Sequence, residues 1–331
     1  MNNQAKGNSA FKNFLSENAI VAVLIAMCVV VTVVKPVFVT PDNIFSVLTA
    51  ASTYGCMAMG AGLIIITGGI DLAAGAMVAF SGVMGAMFGQ TAANASVLQG
   101  VGDLPFIVPV AVTILAGALC GVINGFFIAK FDTPPFIVTL GMTTIVRGLA
   151  LLVTGGEPVS NLTNGYNVLG GKIAGIIPIQ VIVLILLVVV TYVLLRWTHF
   201  GQDLYAIGSN RKAAEVSGIK VNKRLIQVYL FEGICTGIAG LIVAARAASI
   251  HPGAADGYEL TAIASCIIGG TSPSGGIGKI GHMFVGVLVI SVLRNGLTLL
   301  GVDSYWQQIA EGLVIIVAVA LDVRRSAASR R

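Results

Sequence analysis

The sequence predicts an all-α, polytopic integral membrane protein with about ten transmembrane helices, and three observations support this. Of its 331 residues, 56% are hydrophobic and only 10% are charged, whereas a soluble domain carries roughly 25% charged residues. So few charges cannot solvate a surface, and most of the surface must therefore face lipid. The 41 glycines fit the same class, because small residues let membrane helices approach closely. The net charge of +5 comes from basic residues at segment ends, which indicates topology and not a nucleic-acid-binding face.

Ten apolar segments are candidates for these helices, since a spanning helix needs about 20 apolar residues, or fewer where protein shields its ends. The segments are 19–34, 44–66, 72–89, 106–129, 135–154, 179–196, 226–245, 259–270, 280–300 and 306–321. The first lacks a small-residue cleavage site, so we interpret it as a spanning helix and not a cleaved signal. We expect a cytoplasmic N-terminal segment over 1–18, a transmembrane domain over 19–322 and a basic cytoplasmic tail over 323–331.

The distribution of Lys and Arg places both termini in the cytoplasm, because cytoplasmic loops carry the excess of basic residues. With the N-terminus inside, the inside loops hold Lys6, Lys12, Lys130, Arg196, Arg211, Lys212, Lys220, Lys223, Arg224, Lys279, Arg324, Arg325, Arg330 and Arg331. The outside loops hold Lys35, Lys172 and Arg246. An even number of spans then returns the C-terminus to the cytoplasm.

The cysteines and histidines predict neither a disulfide nor a metal site. All five cysteines fall inside apolar segments without C-x-x-C spacing, as expected of small buried hydrophobic residues. The three histidines are scattered, with no paired spacing that would hold a metal. No arrangement of side chains indicates a catalytic residue.

A polar stretch over 197–225 interrupts the apolar pattern. Ser209 or Asn210 offers an N-cap, residues 212–217 favour a short helix, and Gly218 is placed to end it in a left-handed conformation. A solvated connecting loop is the alternative.

Several polar residues lie inside or beside apolar segments, where charge is expensive in lipid. They are Asp71, Asn124, Arg147, Glu232, Arg294 and Asn295. One interpretation is structural: the two arginines pair with Asp71, Glu232 or Glu259. The other is a substrate pathway, and the residues that could line it are Asn124, Phe136, Thr139 and Asn295, with Asp71 as a gate.

Two Gly-rich interruptions, 67–75 and 269–278, follow apolar segments in the two halves of the chain. Paired interruptions of this kind are typical of broken helices at a transport pathway. Tight cytoplasmic turns would produce the same pattern, and the sequence leaves both possibilities open.

Five strings in this chain, in the same order, resemble the ABC-importer permeases of the ribose and galactoside type. They are ITGGIDLAAGAMVAFSG (66–82), PPFIVTLGMTTIVRGLALLVTGGEPV (134–159), GSNRKAAEVSGIKVNK (208–223), GYELTAIASCIIGGTSPSGGIG (257–278) and NGLTLLGVDSYWQQI (295–309). Ala73-Ala74 departs from the Ser-Val that is commoner there.

The resemblance implies a permease subunit for a ribose-like or galactose-like monosaccharide in the bacterial cytoplasmic (inner) membrane. It would pair with a second permease copy, identical or sibling, with ABC ATPase subunits, and with an extracytoplasmic sugar-binding protein. The polar stretch would be the coupling loop, and the residues expected to contact the ATPase are Asn210, Ala213, Ala214, Glu215 and Gly218.

This chain is expected to bind no cofactor, with ATP-Mg on the partner ATPase. The string GIGKI (276–280) is not a phosphate-binding loop, because Pro273 and Ile280 stand where the first glycine and the hydroxyl belong. The alternative function is an ion-coupled secondary sugar transporter, for which Asp71 and Glu232 are the candidate acidic groups.

Overall fold

The computed structural model describes residues 19–94, 98 and 102–329, and each of the ten predicted segments overlaps one helix in it. In chain order the helices are α1 Ala19–Val34, α2 Pro41–Ile66, α3 Ala74–Phe88, α4 Ile107–Phe131, α5 Pro135–Thr154, α6 Asn164–Gly170, α7 Ile179–Trp197, α8 His199–Ser209, α9 Arg211–Val216, α10 Val221–Ala247, α11 Tyr258–Ile268, α12 Ile280–Leu299 and α13 Ser304–Ser329. Residues 1–18 and 330–331, which include parts of the predicted terminal segments, lie outside the described residues.

Six of these helices are long and apolar enough to cross a membrane: α2, α4, α5, α7, α10 and α12. The helices α1, α3 and α11 are apolar but shorter, at 16, 15 and 11 residues. The chain is therefore a multi-pass membrane protein by composition and helix length. The count of ten spans stays a prediction.

Local sequence sets several helix ends. Pro41 and Pro135 open α2 and α5 at the first helical position, where a missing N–H costs nothing. Gly155 ends α5 with a φ of 63°, a conformation that glycine adopts without strain. The sequence did not predict the short helix α6 or the hairpin in which β1 (Lys172–Ile173) pairs antiparallel with β2 (Ile177–Pro178).

The core lies around α2 and α10, and small residues allow its helices to pack closely. α4 runs antiparallel to α10, and a Cβ added at Gly117 would lie 2.3 Å from the carbonyl oxygen of Gly233. Glycines of α4 and α10 therefore lie directly against each other. α5 and α7 turn large apolar side chains such as Leu152 and Leu186 outward, as expected of a lipid-facing surface.

The short helices α3 and α11 both begin inside the bundle. α3 starts beside Asn124 and Cys120 on α4, well before the end of α4 at Phe131, and follows the non-helical segment 67–73. α11 follows the non-helical segment 248–257. The two helix starts touch, because a Cβ added at Gly75 would lie 2.1 Å from the Glu259 Oε2.

This arrangement decides one of the open alternatives. Segment 67–73 runs back into the bundle, as a broken helix does. Segment 269–279 instead joins α11 to α12 beside α8, as a turn does. A second non-helical segment, 248–257, precedes α11, and the glycine pattern did not indicate it.

Candidate functional site

The polar stretch between α7 and α10 folds as two helices set end to end, α8 and α9. The Oδ1 of Asn210 accepts a hydrogen bond from the Ala213 N–H at 3.0 Å and caps α9. Gly218 follows with a φ of 87°, so the predicted short helix, its cap and its glycine end are confirmed. α8 was missed, although Thr198, which accepts from the Gly201 N–H at 3.4 Å, is an N-cap signal in the sequence.

The outer face of α9 is mostly solvent-accessible, but it differs from the predicted contact surface at one residue. Ala213 and Glu215 are exposed, whereas Ala214 is 4% exposed and packs with Ile207 and Leu225. Ala214 therefore fixes α9 to the bundle and cannot contribute an outward surface. Val216 is 91% exposed and was not predicted. Its side chain is therefore accessible to a partner.

Two ion pairs tie α8 and α9 to the helices beside them. The Nη1 of Arg211 lies 2.7 Å from the Asp132 Oδ1, in the turn between α4 and α5. The Nε of Arg224, at the start of α10, lies 2.6 Å from the Asp203 Oδ2 on α8. Partly exposed pairs contribute roughly 0.2–1 kcal/mol each, so they orient the pair α8 and α9, which we call the handle, more than they stabilise the fold.

The end of α8 packs directly on the end of α2 and on the loop before α12. The Gly276 N–H donates to the Ile66 carbonyl oxygen at 2.8 Å. A Cβ added at Gly208 would lie 1.8 Å from that same oxygen, so only glycine fits there. The three backbones therefore meet without an intervening side chain.

A side-chain hydrogen bond reinforces this junction. The hydroxyl of Tyr205 donates to the Gly278 carbonyl oxygen at 2.6 Å. Burial raises the pKa of Tyr205, although nearby Arg196 acts in the opposite direction. The hydroxyl therefore keeps its proton at neutral pH and remains a donor.

Inside the bundle, segment 67–73 is held by side chains of α5. The Leu72 N–H donates to the Thr139 Oγ1 at 3.1 Å, and the Thr143 Oγ1 donates to the Leu72 carbonyl at 2.8 Å. Asp71 turns one carboxylate oxygen onto the Ala73 N–H at 2.7 Å. Thr139 thus positions the broken segment through its backbone.

Three of the five predicted pathway residues come together in this region. Asp71, Asn124 and Thr139 are all buried. Glu232 is buried on α10 beside Gly60 of α2. Among the described residues, no hydrogen-bond partner reaches the Asp71 Oδ2, the Asn124 Oδ1 or either oxygen of Glu232. The region is polar and closed in this conformation.

The other two predicted pathway residues lie elsewhere. Phe136 is 51% exposed on the outer face of α5. Asn295 on α12 exchanges two amide hydrogen bonds with Asn43 of α2, at 3.0 and 2.9 Å. Its side-chain amide therefore joins two helices, and neither residue faces Asp71.

The ion-pair partners predicted for Arg147 and Arg294 are wrong. Arg294 binds Glu311 on α13, with the Nε 3.0 Å from the Oε2. Arg147 donates to two carbonyl oxygens of segment 248–257 and lies 3.5 Å from Asp256. Among the described residues, neither arginine forms an ion pair with Asp71, Glu232 or Glu259.

A cavity of about 310 Å³, called the inner cavity because the basic residues predict this end to be cytoplasmic, lies between the broken segment and the α8–α9 pair. It is lined by Thr67, Gly68, Gly69, the α4–α5 turn, Arg211 and Tyr229. The cavity thus lies at the end of the bundle next to α9, with both polar and apolar residues in its walls.

Helices of spanning length, a polar region closed within them and a capped helix pair beneath them together define a multi-pass transport permease. The comparison with known families agrees: a model described as "Branched-chain amino acid transport system / permease component" matches residues 43–319. The chain belongs to that family, which confirms the predicted class.

The similar curated proteins are import permeases for sugars. The ribose import permease protein of Bacillus subtilis is 40% identical over 92% of both chains. The galactose/methyl galactoside import permease protein of Escherichia coli is 35% identical over 96% of this chain and 97% of its own. The ribose import permease protein of Escherichia coli is 36% identical over 95% and 96%. No solved structure matches the chain.

Proposed function

We propose that this chain is the translocation subunit of a bacterial ABC importer for a monosaccharide of the ribose or galactose kind. Full-length similarity to three permeases whose names give those sugars supports the proposal. The family description names branched-chain amino acids, but the relatives that match along the whole chain are sugar permeases. The same matches disfavour an ion-coupled secondary transporter.

The assembly follows from the class. The chain sits in the cytoplasmic membrane with ten spans and both termini inside. It pairs with a second permease copy, identical or sibling. Two ATPase subunits bind the inner face and hydrolyse ATP-Mg, and a sugar-binding protein delivers substrate to the outer face.

The feature that carries the mechanism is the attachment of α9 to the bundle. Its exposed face offers Ala213, Glu215 and Val216 to a cytoplasmic partner. Its buried side and the backbone contacts of α8 transmit displacement to α2 and to the loop before α12. Packed elements of this kind move as rigid bodies.

Alternating access then has a structural basis. Movement of α8 and α9 shifts the end of α2, to which the broken segment 67–73 is directly joined. Opening there would connect the buried polar region around Asp71 to the inner cavity. ATP binding supplies the difference in free energy between the outward-facing and inward-facing states.

Reconstitution tests this function. The permease and its ATPase are placed in proteoliposomes with loaded binding protein, and uptake of radiolabelled D-ribose, D-galactose and L-leucine is measured. We expect uptake of one of the sugars, dependent on MgATP and insensitive to a protonophore. Uptake of leucine alone would contradict the sugar assignment. Sugar uptake that needs a proton or sodium gradient and no nucleotide would contradict the class.

A further inference from the structure

A second cavity lies at the end of the bundle opposite α8 and α9, with a volume of about 340 Å³. Its walls come from α12, from the chain that follows α10 and from the chain that follows α12. Both helices begin next to α8, through the Asp203–Arg224 and Tyr205–Gly278 contacts. The cavity therefore opens on the face of the bundle away from the cytoplasmic handle.

The lining of this cavity is polar for a membrane protein. Among the residues that carry its polar groups and its aromatic ring are Asp256, Tyr258, Arg294, Ser304, Gln308 and Glu311. Together they offer hydrogen-bond donors and acceptors around one apolar face. The volume lies at the lower end of the range for small-molecule sites, roughly 300–1,000 Å³.

An ion pair between Arg294 and Glu311 forms part of the lining. Glu311 is 6% exposed, and its Oε2 accepts from the Arg294 guanidinium. The same guanidinium donates to the Tyr54 hydroxyl and, at 3.4 Å, to the Thr261 Oγ1. Helices α2, α11, α12 and α13 thus hold Arg294 and Glu311 in place.

One oxygen of this group lacks a partner. The Glu311 Oε1 accepts no hydrogen bond from any described residue. A buried carboxylate oxygen without a donor is unfavourable, because nothing replaces the hydrogen bonds that it makes to water. A ligand hydroxyl would supply that donor, and a charged anion would be repelled.

We infer that this outer cavity is a monosaccharide subsite in which the Glu311 Oε1 accepts a sugar hydroxyl and the Tyr258 ring covers an apolar face of the sugar. The inference deepens the proposed function, on which it rests. The Tyr258 ring is itself fixed by the Tyr54 ring, with centroids 4.8 Å apart. The subsite would receive the sugar after its release from the binding protein and before the bundle opens inward.

Direct binding tests the subsite without relying on transport. The permease–ATPase complex in nanodiscs, without binding protein, is titrated with D-ribose, D-galactose and L-leucine, and saturation-transfer NMR follows each ligand. We expect a signal from a sugar and none from leucine. The Glu311→Gln variant should weaken sugar binding about tenfold, the loss expected for a hydrogen bond to a charged acceptor.

Two further variants keep the test decisive, because Glu311→Gln also weakens the hold on Arg294. Gln308→Trp fills the cavity from its exposed rim and leaves the ion pair intact. It should abolish the sugar signal. Glu157→Gln makes the same charge change at an exposed residue outside the cavity and should leave binding unchanged.

The outcomes separate the two proposals. If the wild-type complex imports sugar with ATP but Gln308→Trp binds and imports it normally, the subsite is wrong and the proposed function stands. If the wild-type complex imports neither sugar, the proposed function itself fails. Sugar binding that is lost in Gln308→Trp and retained in Glu157→Gln supports the subsite.

Discussion

Among single residues, Gly208 makes one of the contacts through which α8 meets the membrane helices. Its missing side chain lets α8 touch the Ile66 carbonyl and the Gly276 backbone. No flexible side chain lies between the three segments, so a displacement of α8 reaches α2 directly. That makes the junction a sensitive place for substitution.

Gly208→Ala should disrupt this junction. The added methyl would lie 1.8 Å from the Ile66 oxygen, and overpacking of this kind costs about 1–3 kcal/mol. We expect a thermal midpoint lowered by several degrees and loss of ATP-driven uptake. Purified protein followed by thermal unfolding checks the first effect, and uptake in proteoliposomes the second.

Gly148→Ala is the matched control, since nothing lies within 4 Å of the added Cβ. It should leave uptake unchanged and the midpoint unchanged or raised, because alanine favours a helix more than glycine does. Equal effects of the two substitutions would show that the Gly208 contact is not special.

Tyr205→Phe removes one hydrogen bond, to the Gly278 carbonyl, and keeps the packing of the ring. The expected loss is about 0.5–1.5 kcal/mol, too small to prevent folding. We expect ATP hydrolysis to continue while less sugar enters per ATP, because the loop before α12 follows α8 less closely. Parallel assays of hydrolysis and uptake measure that ratio. An unchanged ratio would remove Tyr205 from the coupling path.

Single residues also show which features could be predicted from the sequence and which depend on tertiary packing. The cap at Asn210 and the turn at Gly218 are local chemistry, and both were predictable. Glu311 was not identified, because its importance depends on Arg294, 17 positions away, and on the folding of α13 against α12. Val216 was missed because exposure is a property of the packed bundle and not of the string around it.

Among the secondary-structure elements, α9 is the part that meets a partner in the proposed assembly. One of its faces is buried through Ala214 and the other is free. The sequence predicted its position and its ends, because capping is encoded within a few residues. It assigned Ala214 to the wrong face, because the helix rotation is set by packing against Ile207 and Leu225.

Val216→Asp should uncouple the handle without harming the fold. The side chain is 91% exposed, so the substitution buries no charge in the isolated chain. In a contact with an ATPase it would place an unpaired carboxylate in an apolar interface, which costs several kcal/mol. We expect normal membrane insertion, weak co-purification of the ATPase and little uptake.

The same change at Val168, an exposed residue of α6 at 64%, provides the control. Val168→Asp should leave the amount of co-purified ATPase unchanged. If Val216→Asp also leaves it unchanged, α9 is not the docking element.

For the whole molecule, the prediction concerns orientation. The excess of basic residues places α8 and α9 inside and the α6 region outside. Ser217→Cys and Asn167→Cys, both at exposed positions, are made in a Cys28→Ser background in which the four remaining cysteines are buried. A membrane-impermeant maleimide on intact cells should label Asn167→Cys alone. Labelling of Ser217→Cys from outside would invert the topology.

At this scale, the positions of the helices along the chain could be predicted from the sequence, whereas the starting points of α3 and α11 relative to the other helices could not. Hydropathy located the helices because each apolar run is continuous. It could not show that α3 and α11 are short helices that start inside the bundle, since their neighbours, and not their own composition, cover their ends. The break at 248–257 escaped notice for the same reason, whereas 67–73 was visible through its glycines.

The central claim is that a separate ATPase subunit moves the membrane helices by its contact with α9. Site-specific photocrosslinking from position 216 tests this claim directly. A photoreactive amino acid replaces Val216 in the assembled importer, with position 168 as control, and mass spectrometry identifies the adduct. The account predicts a crosslink from position 216, and not from 168, to a chain that carries a phosphate-binding loop. Nucleotide should change its yield. Uptake of sugar by a complex in which position 216 reaches no such chain would contradict the account.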